Sequence, residues 1–147
     1  MRARRGAAIL AAKDDLLLDE NGFYAMDTEA LICVVDDDAV VRESLSDLLR
    51  SADYRVASFE SAQSFLDSAE RNECACVVAD IHMRGLTGID LAKRVAAAAD
   101  APKVILITGH LEECWRERAL YSGAAGFLKK PIESKTLLDL VERSVGT

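Results

Sequence analysis

No apolar run in this chain approaches the roughly 20 residues that a bilayer-spanning helix needs, so a membrane span is not expected. The sequence also lacks a C-x-x-C pair. Its cysteines, Cys33, Cys74, Cys76 and Cys114, do not have the spacing of a zinc site or of a small disulfide-stapled fold. Cys33 and Cys76 lie in apolar, strand-like stretches and read as small buried thiols. Neither G-x-G-x-x-G nor G-x-x-x-x-G-K-[ST] occurs, which argues against a nucleotide-binding protein. A basic surface is missing too. The net charge of −7 and pI near 4.8 give no electrostatic footprint for a nucleic-acid backbone, so no direct nucleic-acid partner is expected. The start, "MRARRGAAILAAKDD", has the arginines of a signal peptide. Its apolar stretch is short, and charge follows without a small-residue cleavage site. The setting expected is soluble, reducing and cytoplasmic.

Half of the 147 residues are hydrophobic, enough for one domain with a substantial core. Residues 1–29 show no periodicity that continues into the rest and read as a flexible or weakly ordered N-terminal extension. From residue 30 onward the chain alternates between two periods. Leu31–Val35 is a continuous apolar run of buried-strand type, and Val40, Val41, Ser44, Leu45, Leu48 and Leu49 follow at helical spacing. Tyr54–Phe59 is a more polar strand, nearer an edge, followed by a helix capped by Ser61 with Phe65 and Leu66 inward. "ACVVAD" is a third strand ending at Asp80. Gly85 and Gly88 mark the loop before the helical "IDLAKRVAAAA". "KVILITG" and "AGFLKK" are the last strands, with helices over about 112–122 and 134–144. Five strand–helix units predict an α/β fold, a three-layer α/β/α sandwich around a doubly wound parallel sheet.

Ligands of such sheets bind beyond the carboxyl ends of the strands. The polar residues gather at those ends: Asp36, Asp37 and Asp38 after the first strand, Asp80 after the third, Thr108 after the fourth, Lys129 and Lys130 after the fifth. Crowded carboxylates resist joint ionisation unless a cation neutralises them. An all-oxygen set without His or Cys suits Mg²⁺, which takes one or two carboxylates plus phosphate oxygens. Asp carboxylates also act as nucleophiles that form aspartyl-phosphates, and Asp80 is the candidate for that role. Asp38 reads either as a supporting charge behind the cluster or as the cap of the first helix, the cap being favoured because a carboxylate there suits both the free N–H groups and the helix dipole.

The segments "VVDDD", "VVADIHMRGLTGIDL", "VILITGH" and "GFLKKP", in this order and spacing, resemble the receiver domain of bacterial response regulators. The phrases "ITGH" and "FESAQSFL" resemble the receivers of nitrogen-fixation and nodulation regulators. The resemblance covers residues 31 to about 145, so the receiver is expected over 30–147. It implies a flavodoxin-like sheet of order 2-1-3-4-5. It further implies that Asp80 takes a phosphoryl group from the phosphohistidine of a sensor histidine kinase or phosphotransfer protein. Mg²⁺, or Mn²⁺ in its place, would be held by Asp37, Asp80 and the backbone carbonyl of His82, with Asp36 as the supporting charge. Lys130 would contact the phosphoryl oxygen, and the bond to Pro131 would be cis. Thr108 and Phe127 would be the switch pair. The outcome would be control of a downstream protein target, with the fourth helix, fifth strand and fifth helix as a homodimer face. Such a receiver is not a turnover enzyme, although it catalyses its own phosphorylation and slow dephosphorylation.

Two histidines, His82 and His110, flank this region and are candidates for tuning the phosphoryl lifetime. Trp115 and Cys114 read as exposed or half-buried residues of the fourth helix, ahead of a role at the face this family uses for partners or dimers. One position departs from the family, which has Met-Pro where this chain has Met83-Arg84. Arginine restores a backbone N–H and brings a cation to an acidic pocket. The rival readings are a Mg²⁺-dependent hydrolase with a nucleophilic Asp and a degenerate, constitutively protein-binding receiver. The first is disfavoured by His82, which occupies the place of its second Asp, and the second by the complete acidic, Lys and Thr set. With three residues after Ser144, no output domain is expected within these 147 residues. A stand-alone receiver, including one acting as a phosphoryl sink, is therefore expected ahead of a piece of a longer protein.

Overall fold

Leu31–Val35 (β1) is buried at every position, as an apolar run must be when helices cover both faces of its sheet. A computed structural model describes residues 10–11, 17–18, 30–98, 100–109 and 113–146. Four more strands lie parallel to β1: Arg55–Phe59 (β2), Cys76–Asp80 (β3), Lys103–Thr108 (β4) and Gly126–Lys129 (β5). Their order is β2-β1-β3-β4-β5, so the chain reverses its direction of travel across the sheet between β1 and β3. The helices are Ala39–Ser51 (α1), Ala62–Leu66 (α2), Gly88–Ala96 (α3), Glu113–Leu120 (α4) and Ser134–Gly146 (α5). The flavodoxin-like order and the edge position of β2 agree with the sequence. Most of residues 1–29, His110 and the side chain of Cys114 lie outside the described residues. Leu10–Ala11 and Leu17–Leu18 pair as two short antiparallel strands.

Strand alternation sorts the core into two layers. Cys33, Val35, Val77, Ala79, Val104 and Leu106 face Phe65 of α2 and Leu91 and Val95 of α3. Ile32, Val34, Val78, Ile105 and Ile107 face Leu45 and Leu49 of α1 and Leu137 and Val141 of α5. Full burial of each large aliphatic side chain contributes about 1.5–3 kcal/mol, and several in each layer are completely shielded. All three cysteines among the described side chains, Cys33, Cys74 and Cys76, are buried. Burial pushes the Cys76 thiol far above its usual range, and the neighbouring Cys74 thiol does the same for Cys33. This is the inert behaviour of structural cysteines.

Val40 differs from its helical pattern, being 73% exposed. Asp38 caps α1 with its carboxylate on the N–H groups of Val40 and Val41, at 2.9 and 3.3 Å. From that start, positions 41, 45, 48 and 49 form the inward stripe, and Val40 and Ser44, one residue out of phase, turn away. Ser61 caps α2 through a capping box with Ser64, as its position predicts, and Phe65 and Leu66 are buried.

The β3–α3 connection decides where Asp80 sits. Gly85 has φ +80°, a conformation that suits glycine. Gly88, expected in the loop, is the first residue of α3, which starts at a Thr87–Asp90 capping box. A Cβ at Gly88 would meet the Asp80 carbonyl oxygen at 2.4 Å, so only glycine lets the helix start this close to the strand end. Gly88→Ala should therefore shift the Asp80 loop and cost about 1–3 kcal/mol, read as a lower urea midpoint with an unchanged m-value.

Candidate functional site

Five of the expected site residues lie at the carboxyl ends of their strands, while Phe127 lies within β5. Asp36 and Asp37 follow β1, Asp80 ends β3, Thr108 ends β4 and Lys130 follows β5. The carboxylates of Asp36, Asp37 and Asp80 each offer an oxygen, and these oxygens lie within 4.8 Å of one another. Asp36 is 1% exposed and Asp80 7%, while Asp37 is half-buried at the rim. The cluster straddles neighbouring strands β1 and β3, at the point where the chain reverses direction.

Asp36 is held by its surroundings. Its Oδ1 accepts the Asp38 N–H at 2.8 Å, and its carbonyl accepts from the Arg42 guanidinium at 2.6 Å. Its Oδ2 is buried without a hydrogen bond, the nearest cation being Lys130 Nζ at 3.8 Å. Burial raises the Asp36 pKa above its ordinary value, and the charges of Asp80 and Asp37 push the same way. The Asp38 N–H and Lys130 offset part of this. Lys130 Nζ also stands 3.4 Å from Asp80 Oδ2, at the long end of hydrogen bonding. Asp80 Oδ1 accepts the His82 N–H at 3.2 Å.

The remaining residues surround this centre. The Lys130–Pro131 peptide is cis, as expected. Lys129 is exposed, as a surface neighbour should be, and the Lys130 N–H donates to the Thr108 carbonyl at 2.7 Å. Thr108 is fully buried and Phe127, on β5, packs partly buried against the α2–α3 core layer.

Three groups of contacts have no counterpart in the sequence patterns. The Arg84 N–H donates to Asp37 Oδ2 at 3.1 Å, and its Nε lies 3.7 Å from the same oxygen. The His82 ring meets Trp115 edge-on at a centroid distance of 4.5 Å, and the Arg118 guanidinium stacks over Trp115 at 4.5 Å. The third is the Arg42 bond to the Asp36 carbonyl. Arg84 and Trp115 were marked as positions, but their partners lie 47 and 33 residues away, beyond any local pattern.

The donor set fits Mg²⁺. It is all oxygen, one buried carboxylate oxygen has no hydrogen bond, and three carboxylates lie together while only two of them, Asp36 and Asp80, face the Lys130 ammonium. Asp37 and Asp80 are placed to hold such an ion. Its charge would neutralise the cluster and any phosphate oxygens brought to it.

Residues 32–142 match the response regulator receiver domain family. This chain belongs to that family. The transcriptional regulatory protein FixJ of Bradyrhizobium diazoefficiens is 40% identical over 120 residues, covering 82% of this chain and 58% of that protein. Nodulation protein W of the same organism is 36% identical, over 83% of this chain and 54% of its own length. The receiver thus spans a little over half the length of these relatives. Full-length FixJ from B. japonicum superposes with a TM-score of 0.72 at 39% identity, covering 80% of this chain and 58% of that one. The likeness to nitrogen-fixation and nodulation regulators read from the sequence agrees with these relatives. Among the described residues, no helix of the receiver is long and apolar enough to cross a membrane.

The raised pKa of Asp36 has a consequence for stability. A carboxyl group whose folded-state pKa lies above its unfolded value contributes stability at low pH and loses it as pH rises through the folded value. In the presence of a chelator, Asp36→Asn should raise the urea midpoint at neutral pH. The gain should vanish below the ordinary carboxylate range, about pH 3–4.

Proposed function

We propose that this receiver accepts a phosphoryl group on Asp80 from the phosphohistidine of a sensor histidine kinase or phosphotransfer protein, with Mg²⁺ bound. The observation that carries this reading is the placement of Asp80. It is nearly buried, its Oδ2 faces Lys130, and it shares a cluster with two further carboxylates. Mn²⁺ satisfies the same donor set. Asp37, Asp80 and the His82 backbone carbonyl are the proposed ligands, and Asp36 supplies supporting charge from behind.

In the transfer, an Asp80 oxygen attacks phosphorus in line, the P–N bond of the phosphohistidine breaks, and its electron pair leaves on the imidazole. Such a step needs positioning and charge neutralisation more than acid–base groups. Lys130 is already beside the Asp80 oxygen and would follow the charge onto the phosphoryl group. Lys is suited to this as a point charge. The Thr108 hydroxyl would then turn to a phosphoryl oxygen and Phe127 fill the space behind it, biasing the β4–α4 region between two arrangements.

The output is control of a partner protein in the cytoplasm. The end of α4 supports a contact or homodimer face with α4, β5 and α5, since Leu120 is 66% and Tyr121 87% exposed. Residues 30–147 act as the receiver, with 1–29 as an extension.

Incubation with acetyl phosphate and Mg²⁺, followed by intact-mass analysis, tests the acceptor. The wild type should gain one acid-labile phosphoryl group and Asp80→Asn none. Equal labelling of the two would remove Asp80 from the role.

A further inference from the structure

The acidic cluster has a second cation that the transfer chemistry does not use. Arg84 touches Asp37 twice, through its main-chain N–H and through its guanidinium, and both reach Oδ2. Its side chain is 91% exposed, whereas that of Asp37 is 26% exposed, so the guanidinium lies on the solvent side of the rim. Beside it is a recess of about 250 Å³ lined by Asp37, Glu60, Ser61 and Arg84, with a second carboxylate within it. The guanidinium therefore has room to move without disturbing the packed core.

We propose that Arg84 is a built-in counter-cation of the resting site, which raises the Mg²⁺ concentration the receiver needs before it can be phosphorylated. This rests on Asp37 being a Mg²⁺ ligand, as the proposed function has it. Charge bookkeeping gives the direction. Arg84 adds one positive charge, on top of Lys130, beside the clustered carboxylates, so an arriving divalent cation meets one negative charge fewer than it would without the guanidinium. Phosphorylation replaces the single charge of Asp80 by about two on the phosphoryl group, which offsets the charge that Arg84 supplies. Arg84 thus disfavours the metal-loaded resting form and favours the metal-loaded phosphorylated form. Ion binding and phosphoryl transfer become more tightly coupled than Lys130 alone would make them.

The two contacts of Arg84 act differently. The N–H holds the Asp37 carboxylate and belongs to any residue except proline. Only the guanidinium carries the charge, so the charge effect is separable by substitution. For a pair this exposed, the expected size is small, about two- to fivefold in affinity.

The test is the Mg²⁺ dissociation constant of the full chain, read by calorimetry and in parallel by the fluorescence of Trp115, whose ring touches His82 beside Asp80. Arg84→Gln keeps the N–H and should bind Mg²⁺ about two- to fivefold more tightly. Arg84→Lys should stay near the wild type. Near 1 M salt, where the screening length falls to about 3 Å, the gap between wild type and Arg84→Gln should close. A purely structural role for Arg84 would not respond to salt in this way. Unchanged affinity in Arg84→Gln, or equal tightening in Arg84→Lys, would overturn the proposal. No Mg²⁺ binding by the wild type would instead remove the metal reading itself, and the role of Arg84 with it.

Discussion

The clustering of three carboxylates, two of them facing one lysine and one almost wholly out of water, is the constraint on which the rest of this receiver depends. Burying a charged carboxylate is costly unless it is paired and hydrogen-bonded. Asp36 is only partly compensated, by one N–H and by an ammonium at 3.8 Å. Much of the local architecture serves to hold this unfavourable arrangement. Arg42 clamps the Asp36 carbonyl from α1, Asp38 caps the same helix, and Gly88 lets α3 begin against the Asp80 carbonyl. The two apolar layers supply the stability from which this local cost is met. Under the proposed function, a divalent cation bound there would relieve the repulsion within this cluster.

The site has a physical connection to the outer face of the sheet. His82 follows Asp80 by two residues and presses on Trp115 of α4, which in turn carries Arg118. Edge-on aromatic pairs are worth about 0.5–1.5 kcal/mol beyond the area they bury. In the proposed switch, a shift of the Asp80 loop would reach α4 through this contact, near exposed Leu120 and Tyr121. Thr108 and Phe127 approach the same region from β4 and β5. This gives the proposed switch two routes to one face, one through the strands and one through the α4 stack.

How much of this could be read in advance depends on the range of each interaction. Strand order, the edge position of β2, the two-faced burial of β1 and the caps at Asp38 and Ser61 follow from patterns within a few residues. The strand-end rule then brings Asp36, Asp37, Asp80, Thr108 and Lys130 to one end of the sheet without reference to side-chain detail. Val40 departs from the apolar helical pattern because the cap, which residue type alone does not reveal, sets the phase of the helix. Gly88 opens α3 instead of lying in the loop because its reason for being glycine, the nearness of the Asp80 carbonyl, is tertiary. The partners of Arg84 and Trp115 were hidden for the same reason. Each contact joins segments tens of residues apart, and neither has a periodic signature.

Thermal unfolding with and without Mg²⁺ decides whether the carboxylate cluster is a cation site held open by the fold. A ligand that binds only the folded state raises the unfolding midpoint in proportion to the logarithm of its concentration once it exceeds the dissociation constant. The wild-type midpoint should climb with Mg²⁺ in this way, and Asp37→Asn should largely abolish the climb. A midpoint indifferent to Mg²⁺ in the wild type, or an equal rise in Asp37→Asn, would contradict such a site.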